Sequence, residues 1–178
     1  MRLLLSTALA LLCLFPATRL LAQKNRPEPL TEAQQDQIAE AGVYPNERVK
    51  LYITYTDEHA DAIKSLAGRN KSAARAKRLD EELQDLTALM DEFGSNLDVY
   101  SQRRADIRKG IKPLPEAVDR WLAILRAIPS EPAFDVSLKE AIDSGQDFSD
   151  QAKQLVADQT AYFLLHKDEA NQDRAEPK

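Results

Sequence analysis

The chain has 178 residues, of which 43% are hydrophobic and 30% are charged, which is enough apolar material for one domain with a buried core. Its formal net charge is −5, and this acidic excess argues against nucleic acid and anionic membrane surfaces as partners. The single cysteine is Cys13, so the chain after it has no thiol for a disulfide, a thiolate metal site or covalent haem attachment.

Residues 1–22 have the pattern of a secretory signal peptide. Arg2 gives the positive start, residues 3–15 form an apolar run of 13 residues, and Ala22 is predicted to precede the cleavage site. Cleavage would remove two arginines and no acids, which leaves 22 cations against 29 acids, a net charge of −7. The alternative is a retained membrane anchor, but 13 helical residues span only about 20 Å of a hydrocarbon core roughly 30 Å thick. We therefore expect export to the periplasm or beyond, without stable membrane insertion after cleavage.

The first mature segment is predicted to carry two helices of unequal length. Residues 23–30 contain two prolines and read as a flexible lead-in. Thr31 and Gln34 have the spacing of a capping box, which predicts a short helix that closes at Gly42. A longer helix follows over residues 47–67, where apolar residues recur at helical spacing.

A heptad pattern dominates the middle of the chain. From Ser72 to Ile107, small or apolar residues, with Arg104 as the exception, recur at alternating steps of four and three, the period of a helix that keeps one seam against its partners. We predict a single rod over residues 71–109 that ends just before Gly110. Cations such as Arg75 stand near the positive end of its dipole, which is unfavourable. Gly94 marks a point at which the rod could kink.

Two further helices complete the predicted bundle. One covers residues 115–128, and the last begins between residues 133 and 136 and runs to His166, with a second heptad and a weak point at Gly145. Residues 167–178 are charged and lack an apolar period, so we expect a disordered tail.

The sequence contains no alternating strand pattern. We therefore predict an all-α fold over residues 31–166: an elongated antiparallel helical bundle. It would have two long heptad-bearing helices, two shorter helices and a short N-terminal helix.

The seam of the rod changes from apolar to polar near its C-terminal end. Arg104 occupies a seam position, where burial without a partner would be costly. One hypothesis is that Tyr100, Arg104 and Gln159 form a polar layer, covered by Trp121, that fixes the register of the helices. The alternative is that the bundle frays at this point and that Arg104 reaches water.

No pattern predicts an enzyme, a metal site or a cofactor. Thr56 and Phe163 stand three residues before His59 and His166, so the Glu-x-x-His spacing of di-iron bundles is missing. We interpret His59 as a surface residue and His166 as a residue at the seam edge. Neither a Gly-x-Ser-x-Gly turn nor a Walker-type loop occurs. A solvated helix face is the interpretation of four acids on the rod: Asp91, Glu92, Asp98 and Asp106.

Two resemblances bear on function. Residues 30–34, Leu-Thr-Glu-Ala-Gln, resemble the Leu-Thr-x-x-Gln motif of small helical periplasmic stress chaperones. The second extends from Leu30 to about His166 and resembles an uncharacterised family of exported bacterial all-helical proteins. Four segments carry it: residues 47–52, 91–93, 96–100 and 106–109. It implies an all-helical envelope protein and brings no activity or site residues.

We therefore expect an exported, non-enzymatic helical interaction or scaffold protein of the bacterial envelope, with a protein partner that the sequence does not identify. The alternative is a periplasmic chaperone-like protein that binds exposed apolar segments through an apolar concave face. A homodimer is left open, because heptads close between chains as well as within one.

Overall fold

The computed structural model of the protein describes residues 28–171 as helices joined by short turns. The predicted signal peptide, the first residues of the lead-in and residues 172–178 lie outside this range. The elements are α1 (Glu32–Glu40), a 3-10 turn (Ala41–Val43), α2 (Pro45–Ala67), α3 (Ala73–Gln102), α4 (Arg108–Ile111), α5 (Leu114–Arg126) and α6 (Asp135–Leu165). No strand occurs between residues 28 and 171, so the predicted all-α helical bundle is confirmed.

Helix boundaries follow local signals over most of the chain. The capping box at the start of α1 is present: the Gln34 amide donates to the Thr31 hydroxyl at 3.3 Å, and the Gln34 side chain accepts from the Thr31 amide at 2.9 Å. Pro45 lies in the first turn of α2, where its missing N–H costs nothing. None of the helices between residues 28 and 171 is both long and apolar enough to cross a membrane.

Four helices form the bundle as two hairpins. In the first hairpin α2 and α3 are antiparallel, because His59 pairs with Glu82 near one end and Arg48 with Asn96 near the other. In the second hairpin α5 and α6 are antiparallel in the same way. The hairpins pack so that α3 lies beside α6 and α2 lies beside α5.

The two heptad helices pair within the chain, and they run parallel. Asp80 contacts Ser137 near the start of both helices, and Asp98 contacts Gln151 further along both. Helix α5 lies between α3 and α6 in the chain and runs back along the bundle. Helix α6 therefore starts at the same end of the bundle as α3. The predicted antiparallel arrangement therefore applies to the two hairpins and not to this central pair.

An aromatic row joins all four bundle helices through the core. The rings of Tyr52 and Phe93 stack at 5.0 Å between centroids, Phe93 meets Phe148 at 5.2 Å, and Phe148 stacks on Trp121 at 6.3 Å. Each ring comes from a different helix: α2, α3, α6 and α5 in that order. Such pairs contribute about 0.5–1.5 kcal/mol each beyond their buried area, so this row fixes the four helices to one another.

The two glycines predicted as weak points lie at contacts between helices. A Cβ on Gly94 would stand 2.8 Å from Oε1 of Gln151, and a Cβ on Gly145 would stand 2.9 Å from Cδ2 of Leu122. Both α3 and α6 continue through these positions as single helices. The glycines therefore permit close packing of α6 against α3 and α5.

The predicted end of the rod is wrong. Helix α3 ends at Gln102, and Arg104 adopts the left-handed conformation with φ of 53°. The Arg104 amide donates to the Ser101 carbonyl, and the Ala105 amide donates to the Tyr100 carbonyl, each at 3.0 Å. This is the Schellman motif, which satisfies the last carbonyls of a helix. The predicted cap at Gly110 lies instead inside the separate helix α4.

Both predicted flexible ends are partly packed onto the bundle. Leu30, at the end of the lead-in, is only 6% exposed. At the other end, the Asn171 amide donates to the Asp106 carboxylate at 2.8 Å, and the Tyr162 hydroxyl donates to Glu169 at 2.8 Å. Residues 28–30 and 167–171 therefore belong to the folded domain rather than to the lead-in and the tail.

Candidate functional site

The four residues of the hypothetical polar layer do not meet. Gln159 is buried, and its amide donates to the Ala105 carbonyl at 3.0 Å and accepts from the Ile107 amide at 3.2 Å. Trp121 lies elsewhere in the core and donates through Nε1 to Asp57 at 2.6 Å. Gln159 thus holds the backbone that leaves α3, and Trp121 does not cover it.

Arg104 is exposed rather than buried in a polar layer, and its side chain reaches water. Its Nη1 donates to the Tyr162 hydroxyl at 3.2 Å, and its guanidinium lies 5.2 Å from the centre of that ring. The seam ends because α3 ends at a hydrogen-bonded C-terminal cap, and not because the helix frays. Tyr100 is buried, and its hydroxyl has no hydrogen-bond partner among the described residues.

A compact set of contacts lies at the end of the bundle where the chain passes from α3 into α4. Arg108 donates through two nitrogens to the Asp106 carboxylate, at 2.8 and 2.7 Å. The hydrogen bond from Arg108 is the largest cause that lowers the pKa of Asp106, to about 2, against the opposite effect of burial. Asn46 donates to the Asp106 carbonyl at 2.7 Å and accepts from the Gly110 amide at 2.8 Å. Asp106 is 8% exposed, so its interpretation as a solvated acid is wrong.

His59 is not a surface residue, because its side chain is only 16% exposed. Its Nδ1 lies 2.9 Å from the Glu82 carboxylate and its Nε2 lies 2.9 Å from the Pro29 carbonyl. A carbonyl oxygen only accepts, so Nε2 donates, and His59 joins α2, α3 and the lead-in. His166 stacks on Tyr162 at 4.1 Å. No three His, Cys, Asp or Glu side chains between residues 28 and 171 are grouped as a metal site would need.

The largest surface concavity that we describe is a groove of about 650 Å³ along the parallel pair α3 and α6. Gly94 and two buried apolar side chains, Met90 and Phe148, lie at its floor. A Cβ at Gly94 would stand 2.8 Å from Oε1 of Gln151, so a side chain at this position would displace the end of the Gln151 side chain. We call this concavity the acidic groove, because its walls carry five exposed carboxylates: Asp91, Asp98, Glu140, Asp143 and Asp147.

Hydrogen bonds across the acidic groove hold its two walls together. Ser144 donates to Asp91 at 3.0 Å, and Gln151 donates both to the Gly94 carbonyl at 3.1 Å and to Asp98 at 2.8 Å. No arginine or lysine lines the groove, although Lys139 pairs with Asp143 at its edge. The groove therefore combines a fixed shape, an apolar floor and an excess of negative charge.

This groove was not predicted from the sequence, because the acids of the rod were interpreted as residues of a solvated helix face. Asp91 and Asp98 are seven residues apart on α3, and Glu140 and Asp147 are seven residues apart on α6. Residues at this spacing share one helix face, so each helix carries an acidic stripe beside its seam. The same seven-residue spacing of acids on both helices was the sequence signal for the groove. Only the parallel pairing of α3 and α6 brings the two acidic stripes together.

A second, smaller concavity lies between α2 and α5. It has a volume of about 280 Å³ and is mostly apolar, with residues Lys64, Ala67, Ala123, Ile124, Ala127 and Ile128 along it. Several large apolar side chains are also exposed, but at separate places: Tyr44 at the start of α2, Val136 at the start of α6 and Leu165 at its end.

Comparison with known proteins gives no relative: no family model, no curated protein and no solved structure matches this chain.

Proposed function

We propose that this protein is a non-enzymatic helical interaction protein of the bacterial envelope, and that its acidic groove receives a basic segment of a protein partner. The observation that carries the proposal is the joint presence of five carboxylates and an apolar floor in one groove of about 650 Å³. This volume lies within the usual range for ligand sites, roughly 300–1,000 Å³.

Charge and shape favour a partner segment that alternates basic and apolar side chains. Lysine or arginine would meet the walls at Asp91, Asp98 and Asp147, while apolar side chains would cover Phe148 and Met90 at the floor. Attraction between exposed charges acts over about 8 Å at physiological salt and weakens as salt rises. We therefore expect binding that depends on ionic strength.

Export is the second part of the proposal and depends on the sequence of residues 1–22. Its support is the charged start, the apolar run and the small residue at the predicted cleavage site. Under this proposal the functional form is the mature chain of residues 23–178.

A chaperone-like role has weaker support. It would need a broad apolar concavity, whereas the groove between α2 and α5 has about 280 Å³ and is lined mainly by alanine and isoleucine. The exposed apolar side chains of Tyr44, Val136 and Leu165 lie on different helix ends and do not extend this groove.

Binding of two synthetic peptides of equal length tests the proposal. One alternates lysine and leucine, and the other alternates glutamate and leucine. We expect the residue 23–178 chain to bind only the lysine peptide, with an affinity that falls by roughly tenfold when both Glu140→Gln and Asp147→Asn are introduced. Fluorescence anisotropy at low and physiological salt measures this.

A matched control removes the same charge elsewhere. Asp36 and Asp61 are exposed on α1 and α2, so the variant carrying Asp36→Asn and Asp61→Asn should bind the lysine peptide within about twofold of wild type. Equal losses of affinity in the two double variants would show that net charge alone causes the effect, and would contradict binding in the acidic groove. Suppression of client aggregation that survives the groove substitutions would favour the chaperone-like alternative instead.

A further inference from the structure

Both ring nitrogens of His59 face a hydrogen-bond acceptor. Nδ1 lies 2.9 Å from a carboxylate oxygen of Glu82 on α3, and Nε2 lies 2.9 Å from the backbone carbonyl of Pro29. A neutral imidazole has one N–H and one lone pair, so it donates to only one of these oxygens, whereas the imidazolium form donates to both. The side chains of His59 and Glu82 are 16% and 17% exposed, so water has little access to replace a lost partner. The observed contacts therefore need one proton more than a neutral ring beside a carboxylate.

The charges around this contact are mostly negative. Arg78 on α3 is exposed, and its Nη2 lies 3.8 Å from the carboxylate of Glu82. Three further acids flank the contact on the elements that meet there: Asp85 on α3, Glu58 on α2 and Glu28 in the lead-in. A cationic ring at His59 balances part of this negative charge.

The segment that this contact holds is lightly attached to the bundle. Residues 28–40, which we call the N-terminal arm, bury two side chains, Leu30 and Ile38. Side-chain hydrogen bonds also join the arm to α2: Gln34 to Glu58 at 2.9 Å, and Tyr55 to Gln37 at 2.6 Å. A part of a fold with few buried contacts opens at a lower free energy than the whole, so one charged hydrogen bond matters there.

We propose that His59 is a pH-dependent latch that fastens the N-terminal arm to the α2–α3 hairpin. The protonated ring donates to Glu82 and to the Pro29 carbonyl at the same time. After loss of this proton, one of the two oxygens faces a lone pair instead of a donor, and the arm detaches more readily. An ordinary imidazole loses its proton at about pH 6.5, so the latch is closed below this range and weakens as the pH rises through it.

Opening of the latch controls access to apolar surface. Leu30 and Ile38 are each 6% exposed while the arm is attached, and its release uncovers both side chains together with the part of α2 beneath them. The latch shares no residue with the acidic groove, so it is independent of the proposed function.

Hydrogen exchange of the residue 23–178 chain, followed by mass spectrometry at about pH 5 and about pH 8, tests the latch. After correction for the intrinsic exchange rate, we expect the protection of the α1 amides to be lower at the higher pH by about tenfold or more. Protection of α1 that does not change between these two pH values would overturn the proposal.

His59→Gln removes the titrating ring and keeps a side-chain donor. We expect its α1 protection to be weak and nearly the same at both pH values. His166→Gln is the matched control, because His166 is the other histidine of the chain and stacks on Tyr162 instead of contacting the arm. It should keep the pH dependence of wild type, and the same pH dependence in His59→Gln would contradict the latch.

Glu82→Gln separates the role of the proton from the role of packing. Its amide donates to Nδ1 of a neutral ring while Nε2 still donates to Pro29, so the arm should stay protected at about pH 8. A purely structural role of the Glu82 carboxylate predicts weaker protection at both pH values instead. That result, or a fall at high pH equal to that of wild type, would also overturn the proposal.

Discussion

Two arginines at opposite ends of the first hairpin differ in burial and in how completely they are paired: Arg75 is buried and Arg48 is half-buried. Arg75, near the start of α3, donates to the Leu66 and Ala67 carbonyls at 3.0 and 3.2 Å and to Glu131 at 2.8 Å. Arg48, near the start of α2, donates through Nη2 to Asn96 at 3.2 Å, and its Nε has no partner among residues 28–171.

The difference separates a charge that connects two helix ends from a charge with a single side-chain contact between α2 and α3. Arg75 places its cation on the last carbonyls of α2, where a positive charge is favourable, and so connects the end of one helix to the start of the next. These contacts offset the unfavourable interaction of Arg75 with the positive end of the α3 dipole. Each guanidinium nitrogen of Arg75 therefore has a partner, whereas Nε of Arg48 has none among residues 28–171.

The largest expected effect comes from removing the paired arginine. Arg75→Met should lower the free energy of unfolding by about 3–5 kcal/mol, because two helix-end carbonyls and Glu131 lose their donor. Arg48→Met should cost at most about 1 kcal/mol, since it breaks one hydrogen bond and removes an unpaired buried donor. Urea unfolding of both variants measures the difference. Equal costs would show that the two arginines do not differ as described.

Close backbone packing acts together with the Arg108–Asp106 ion pair at the end of the bundle where Arg48 lies. A Cβ on Gly110 would stand 2.8 Å from the Asn46 carbonyl oxygen and 3.1 Å from Cβ of Val49. Gly110→Ala should therefore destabilise the fold by about 1–3 kcal/mol in the same urea assay. Gly42→Ala is the control, because nothing lies within 4 Å of a Cβ there. It should be neutral or slightly stabilising, and a comparable loss in Gly42→Ala would contradict the packing argument.

The smallest expected effect is a pH dependence at this same end. The pKa of Asp106 in the folded protein is about 2, below its ordinary value of 3.8. The carboxylate therefore stabilises the fold fully above its ordinary pKa, and this contribution is lost as the pH falls through about 2. Between pH 5 and pH 2, wild type should lose about 1–2 kcal/mol more than Asp106→Asn. Parallel pH profiles of the two proteins would be inconsistent with this ion pair.

Features set by residues close in the chain were predicted well from the sequence. The Thr31 capping box, the start of α6 at Asp135 and the apolar faces of the helices all follow from spacing within a few residues. The heptad of the rod likewise predicted that Leu97 and Tyr100 are buried. Ile107 is also buried, but it lies beyond the end of α3, where the heptad no longer describes a helix.

The candidate sites could not be predicted, because their residues are distant in the chain. The acidic groove joins Asp91 on α3 and Ser144 on α6, so its two walls do not share a helix. The polar-layer hypothesis failed for the same reason. The hypothesis assumed that α3 continued to Arg104. The helix ends earlier, and the side chain of Gln159 makes hydrogen bonds to the backbone that follows it.

The sequence by itself determined that this protein is helical, where most of its helices begin and end, and which face of each is apolar. Periodicity and capping are local, because they depend on residues a few positions apart in the chain. The tertiary structure decided that α3 and α6 run parallel, that α3 stops at Gln102, and that each guanidinium nitrogen of Arg75 has a partner while Nε of Arg48 has none among the described residues. These outcomes depend on contacts across the bundle, because a helix face does not specify the direction of its neighbour.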